Sequence, residues 1–238
     1  TPCFVFEAVA KDLVAKGHRV LVYDHYGRGY SDRPRRAQDR QFFVEHLHEL
    51  LDGLGEKHAF DLIGYSMGGV IASAFSADHP ERVKHLILLA PAGMGHELGP
   101  LAKNALKVPL IGDWLFMAFY ARMHRWGTEK ERALLSSVEF IVDRQQRELG
   151  YRGFVPAILA SLHGVLSKPS KSDHLMLATQ NIEVTAIWGA EDAVIPISSK
   201  DTLMQWNAAC RHIVILQAGH GLAYTHVAEV VQCLKSHR

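Results

Sequence analysis

Apolar positions in this chain follow two rhythms, short continuous runs and stretches with apolar residues three and four apart. Phe6, Val9, Ala10, Leu13 and Val14 have helical spacing, and Gly17 closes that segment. Arg19 to Tyr23 (RVLVY) is a β-rich run that predicts a strand, and Asp24 to Pro34 (DHYGRGYSDRP) is a turn-rich loop. Phe43, Leu47, Leu50, Leu51 and Leu54 predict an amphipathic helix ending near Gly53 and Gly55. Ala59 to Ile63 predicts a strand, and Met67 to about Ala77 a helix whose small residues suit close packing on a sheet. His79-Pro80 ends that helix, and His85 to Ala90 (HLILLA) predicts a buried strand. From about Ala92 to Asn181 strand signals lapse and helical patterning takes over. The first rhythm then returns, with strands over Glu183 to Trp188 and Arg211 to Leu216 and a helix near Ser198 to Trp206. A last helix carries Val227, Val230, Val231 and Leu234. Strands alternating with helices predict an α/β fold with a mostly parallel sheet covered on both faces.

Chemistry gathers where those strands end, because ligands of such sheets bind beyond the carboxyl ends of the strands. Gly64-Tyr65-Ser66-Met67-Gly68 has the form G-x-S-x-G, which places a serine on a sharp strand-to-helix turn with its hydroxyl in the open. The motif alone is weak evidence. Its weight comes from Glu191 and Asp192 after the strand at 183–188 and from His220 after the strand at 211–216. A nucleophile, a carboxylate and an imidazole thereby share one sheet edge, in the order Ser, Asp, His.

Bulk composition narrows the alternatives. The formal net charge of +1 gives no reason to expect nucleic acid or an anionic membrane as partner, and no run of eighteen uncharged apolar residues is present to span a bilayer. Cys3, Cys210 and Cys233 are scattered and odd in number, so they form no disulfide framework or zinc spacing and point to a reducing, cytoplasmic compartment. Gly27-Arg28-Gly29 lacks a third glycine and a following helix, which argues against a dinucleotide-phosphate loop. His46 and His48 stand two apart on a predicted helix, so their rings diverge and no metal site is expected. The remaining expectation is a small-molecule substrate and no cofactor.

Taken together, YDHYGRGYSDRP (23–34), GYSMGG (64–69), HPERV (79–83), WGAEDAVIP (188–196) and AGHG (218–221) resemble the α/β-hydrolase superfamily along essentially the whole chain, most closely its serine-esterase and monoacylglycerol-lipase-like members. The resemblance implies Ser66 as nucleophile, His220 as general base and Asp192 as the acid, four residues after the tryptophan of its WGxxD pattern. Glu191 would stand one residue early, and His212 and His226, inside a predicted strand and helix, are expected to be structural. The Met67 backbone N–H would be one oxyanion donor. The second normally comes from a loop that would lie upstream of Thr1. The resemblance also implies a division into a first core segment (1–91), a helical cap (92–181) and a second core segment (182–238). Cleavage of a carboxylic ester or related acyl bond through an acyl-enzyme is the activity expected. Carbon–carbon hydrolysis of ring-cleavage products, lactone or thioester hydrolysis, and ligand binding without turnover are the alternatives. The apolar stretch Val108 to Trp126 fits either a hydrophobic substrate or packing within the fold.

The family's sheet places a strand between RVLVY and AFDLI that this sequence does not contain. Without it, backbone groups left unpaired would cost about 1–3 kcal/mol each. The sequence is therefore expected to be partial, with about 30–60 further residues in front by the usual size of βαβ units and hairpins, and residues 1–238 alone are expected to fold poorly.

Overall fold

The computed structural model describes residues 2–95, 99–108 and 110–235. In chain order its elements are α1 (Glu7–Ala15), α2 (Arg40–Gly53), β1 (Phe60–Tyr65), α3 (Met67–Asp78), β2 (Val83–Leu89), α4 (Pro100–Lys107), α5 (Ile111–Glu129) and α6 (Ile141–Arg147). Then come α7 (Phe154–His163), α8 (Lys171–Thr179), β3 (Glu183–Gly189), α9 (Ser199–Trp206), β4 (Arg211–Ile215), α10 (Leu222–Thr225) and α11 (Val227–Lys235). Two compact units result, one of residues Thr1–Gln38, Glu97–Ser167 and Ala223–Arg238, the other of Asp39–His96 and Lys168–Leu222.

The second unit contains the sheet. Its four strands run parallel in the order β1-β2-β3-β4, with Leu62 beside Leu86, Leu86 beside Val184 and Ala186 beside His212. After their first residues β2 and β3 are almost continuously buried, which is why HLILL and VTAIW read as unbroken apolar runs rather than alternating ones. α3 packs against β1 and β2, and from Gly69 to Ala77 every residue is buried. Alanine, serine and glycine at most of those positions let the helix approach closely. Gly64 shows how closely, since a Cβ there would lie 2.4 Å from the Gly68 carbonyl oxygen and 2.8 Å from the Ala72 Cβ. α2, whose N-cap Asp39 accepts the Phe42 N–H, packs on α3, and α8 packs on α3 and α9.

In the first unit α4, α5 and α7 meet around Ala105, Phe116 and Leu162, with Leu101, Tyr120, Ile158 and Leu166 packed on them. The stretch from Val108 to Trp126 therefore divides: Phe116 is core, whereas Trp114 and Trp126 are each 67% exposed. α1 packs on α11, and Arg144 of α6 pairs with Glu7 of α1. The loop at 24–34 folds back on Asp24, whose carboxylate accepts the N–H groups of Cys3 and Tyr30 at 2.7 and 3.0 Å. Gly29 is needed there, because at φ 51° a Cβ would sit 2.0 Å from the Asp24 carboxylate. Arg28, 2% exposed, donates to Ser161 Oγ at 2.9 Å, and Gly29 N–H donates to the Glu148 carboxylate at 2.8 Å.

One expected strand does not form. Residues 19–23 are irregular, with Leu21 and Val22 half exposed, and no ladder of the sheet includes them. A β-rich run becomes a strand only when a neighbour supplies the hydrogen bonds, and propensity alone does not substitute for that neighbour. No helix among the described residues is long and apolar enough to cross a membrane.

Candidate active site

Strand β1 runs straight into the turn that carries Ser66. That residue has φ 53° and ψ −118°, a conformation that costs a non-glycine residue about 1–3 kcal/mol and persists only where the surroundings enforce it. They do so through three backbone hydrogen bonds: Ser66 N–H donates to Leu89 C=O at 3.0 Å, and Gly69 and Ala92 N–H donate to Ser66 C=O at 2.9 and 3.1 Å. The side chain is thereby held outward at the carboxyl end of the sheet, half-buried, and Met67 opens α3 directly behind it.

The turns after β3 and β4 bring two more groups to the same edge. Asp192 is 7% exposed, and its Oδ1 accepts the N–H groups of Val194 and Ile195, both at 2.8 Å. Its Oδ2 accepts from His220 Nδ1 at 2.8 Å. An ionised carboxylate only accepts, so Nδ1 carries the hydrogen and Nε2 is left as the acceptor. Ser66 Oγ lies 3.0 Å from that Nε2 and donates to it. The result is a line of hydrogen bonds from hydroxyl to imidazole to carboxylate. Such a line can draw the proton from Oγ as it attacks an electrophilic carbon, while the carboxylate stabilises the imidazolium that forms.

The adjacent candidate, Glu191, points elsewhere: it is exposed and its N–H is tied to Ala218 C=O at 2.9 Å. His212 lies on β4 and accepts from Trp188 Nε1 at 3.1 Å. His226 stands between α10 and α11, with Thr225 Oγ1 2.9 Å from its Nδ1. His46 is buried in α2, and His48 faces Asp52 at 3.3 Å. Among the described residues no group of three His, Cys, Asp or Glu side chains is placed to hold a metal ion. One contributor was invisible in the motif: Tyr65, the unspecified position of G-x-S-x-G, donates its hydroxyl to the His220 main-chain carbonyl at 2.9 Å. Nothing in a spacing pattern marks that contact, since it spans 155 residues of chain.

A family model for the alpha/beta hydrolase fold matches residues 3–112. A 2-hydroxymuconate semialdehyde hydrolase from Pseudomonas sp. (strain CF600) is 33% identical over 227 residues, covering 90% of this chain and 74% of that protein. The chain belongs to the α/β-hydrolase family. Another relative is a human monoacylglycerol lipase, 26% identical, with 90% of this chain and 65% of that protein covered. Among solved structures, an esterase from Exiguobacterium antarcticum superposes with a TM-score of 0.80 at 19% identity, over 99% of this chain and 87% of the other. That likeness is one of fold.

Proposed function

We propose that this chain is a serine hydrolase in which Ser66 attacks an acyl carbon, His220 takes its proton and later activates water, and Asp192 holds the imidazole in its productive tautomer. The observation that carries this reading is the unbroken line from Ser66 Oγ through His220 to the buried Asp192, with links of 3.0 and 2.8 Å. The Met67 N–H, at the first turn of α3, is the oxyanion donor contributed from this side of the substrate, aided by the positive end of the helix. The helical stretch at 92–181 acts as the cap that selects the substrate.

The bond we assign is a carboxylic ester, or a related acyl bond, of a small hydrophobic molecule. A second reading is favoured by a specific observation, the likeness to 2-hydroxymuconate semialdehyde hydrolases from two Pseudomonas sources, at 33% and 28% identity. In that reading the same groups cleave a carbon–carbon bond of a ring-cleavage product.

A fluorophosphonate probe should label the protein, and Ser66→Ala should abolish labelling and lower turnover by at least about 10³-fold. Folded wild-type protein that stays unlabelled would overturn the hydrolase reading and favour ligand binding without turnover. Relative kcat/KM on a short p-nitrophenyl ester and on 2-hydroxymuconate semialdehyde then separates the two bonds.

A further inference from the structure

We infer that Tyr65 is a positioning residue for His220, an inference that rests on the Ser66–His220–Asp192 reading. Two contacts point to it. The Tyr65 hydroxyl donates to the His220 backbone carbonyl at 2.9 Å, and the phenol ring lies against the imidazole with centroids 5.3 Å apart and planes inclined by 34°. Tyr65 is 9% exposed and is the last residue of β1, so its ring is anchored in the sheet rather than in a loop.

His220 itself lies outside the sheet, two residues after Ala218, whose carbonyl accepts the Glu191 N–H at 2.9 Å. It sits between β4 and α10, on a connection where Gln217 adopts a φ of 60° and no ladder holds the backbone. Asp192 controls one edge of the imidazole through Nδ1. A ring pinned at one nitrogen can still tilt and slide as its backbone moves, and Nε2 must stay within hydrogen-bond reach of Oγ while the proton passes. The Tyr65 hydroxyl restrains that backbone. Because Tyr65 and Ser66 are consecutive, the end of one strand sets both the nucleophile and the frame of its base.

The phenol ring has a second effect. When Ser66 Oγ bonds to the substrate carbon, its O–H bond breaks and the proton passes to Nε2, giving an imidazolium. The phenol ring packed against that imidazole limits its tilt while the proton is in transit. Hydroxyl and ring therefore act at different points, one on the backbone of His220 and one on its imidazole, and two substitutions separate them.

The test measures fluorophosphonate acylation of Ser66 and the kcat and KM of p-nitrophenyl acetate hydrolysis in wild type, Tyr65→Phe and Tyr65→Leu. Tyr65→Phe keeps the ring and removes the tether; acylation and kcat should fall about tenfold, with KM unchanged. Tyr65→Leu also removes the ring that packs on the imidazole, so acylation and kcat should fall further than in Tyr65→Phe, again with KM unchanged. Should Tyr65→Leu fail to fold, judged by circular dichroism, Tyr65→Phe alone decides. A folded Tyr65→Phe that is acylated as fast as wild type overturns the inference and leaves Ser66 in place. A change confined to KM overturns it as well. An unlabelled wild type ends the Ser66 reading and takes the inference with it.

Discussion

At the scale of single residues, burial and partners decide what a histidine does. His220 is held by Asp192, whereas His174 on α8 is fully buried and neither ring nitrogen has a hydrogen-bond partner among the described residues. Its ring lies near Trp206 of α9, with centroids 6.3 Å apart. Burial lowers the His174 imidazole to about 4. An unfolded chain regains the ordinary value of about 6.5 and takes up a proton that the folded chain refuses. Stability is therefore full above about pH 6.5 and declines as pH falls towards 4, by up to about 3 kcal/mol for this group. His174→Phe keeps an aromatic ring beside Trp206 and removes the titration. Urea unfolding at pH 7.5 and pH 4.5 should show a smaller acid loss in the variant; equal losses in both proteins would remove His174 as the cause.

At the scale of elements, helices α2, α3 and α8 are joined by one side chain. Arg40 binds both carboxylate oxygens of Asp78 at 2.7 and 2.8 Å, Asp173 at 2.9 Å through Nε, and the Ala74 carbonyl at 3.1 Å. The guanidinium holds the Asp78 carboxyl below its usual range. Asp173 is 4% exposed, so removing Arg40 strands a charge away from water, while the partial exposure of Arg40 itself moderates the effect. Arg40→Ala should lower stability by about 1–3 kcal/mol, and Arg40→Lys, which cannot form the two-pronged contact, should recover only part of it. Denaturant midpoints measure both. These helices were legible from their apolar spacing. The clasp was not, because its partners are 38 and 133 residues apart. The run at 19–23 fails in the opposite sense: its spelling is that of a strand, yet it lies outside the sheet.

At the scale of the whole molecule, Ser66, Asp192 and His220 depend on one another through the sheet. They follow β1, β3 and β4, strands that share a sheet only because β2 lies between the first two. All three residues belong to the unit of residues 39–96 and 168–222. Loss of Ser66 acylation in urea should therefore coincide with cooperative unfolding of that unit, followed by Trp188 fluorescence, Trp188 being buried in β3. Acylation lost at clearly lower urea would mean that the strand-end turns loosen before the sheet.

The sequence by itself determined the alternation of elements, the parallel sheet and the serine turn, because each is written in local features: runs of apolar residues, helical spacing, and glycines on either side of Ser66. It also brought Ser66, the carboxylates and His220 to one edge, since parallel strands all end on the same side. Tertiary structure decided the rest. It set the contact between Asp192, which the WGxxD resemblance already implies over Glu191, and His220, because the turn after β3 aims one carboxylate inward and leaves the other exposed. It also placed Tyr65 against His220, buried His174 with no hydrogen-bond partner for its ring nitrogens among the described residues, and left residues 19–23 outside the sheet. Element type follows from a residue's neighbours in the chain. Which donor meets which acceptor follows from strand order and turn geometry, which bring together side chains up to 155 residues apart.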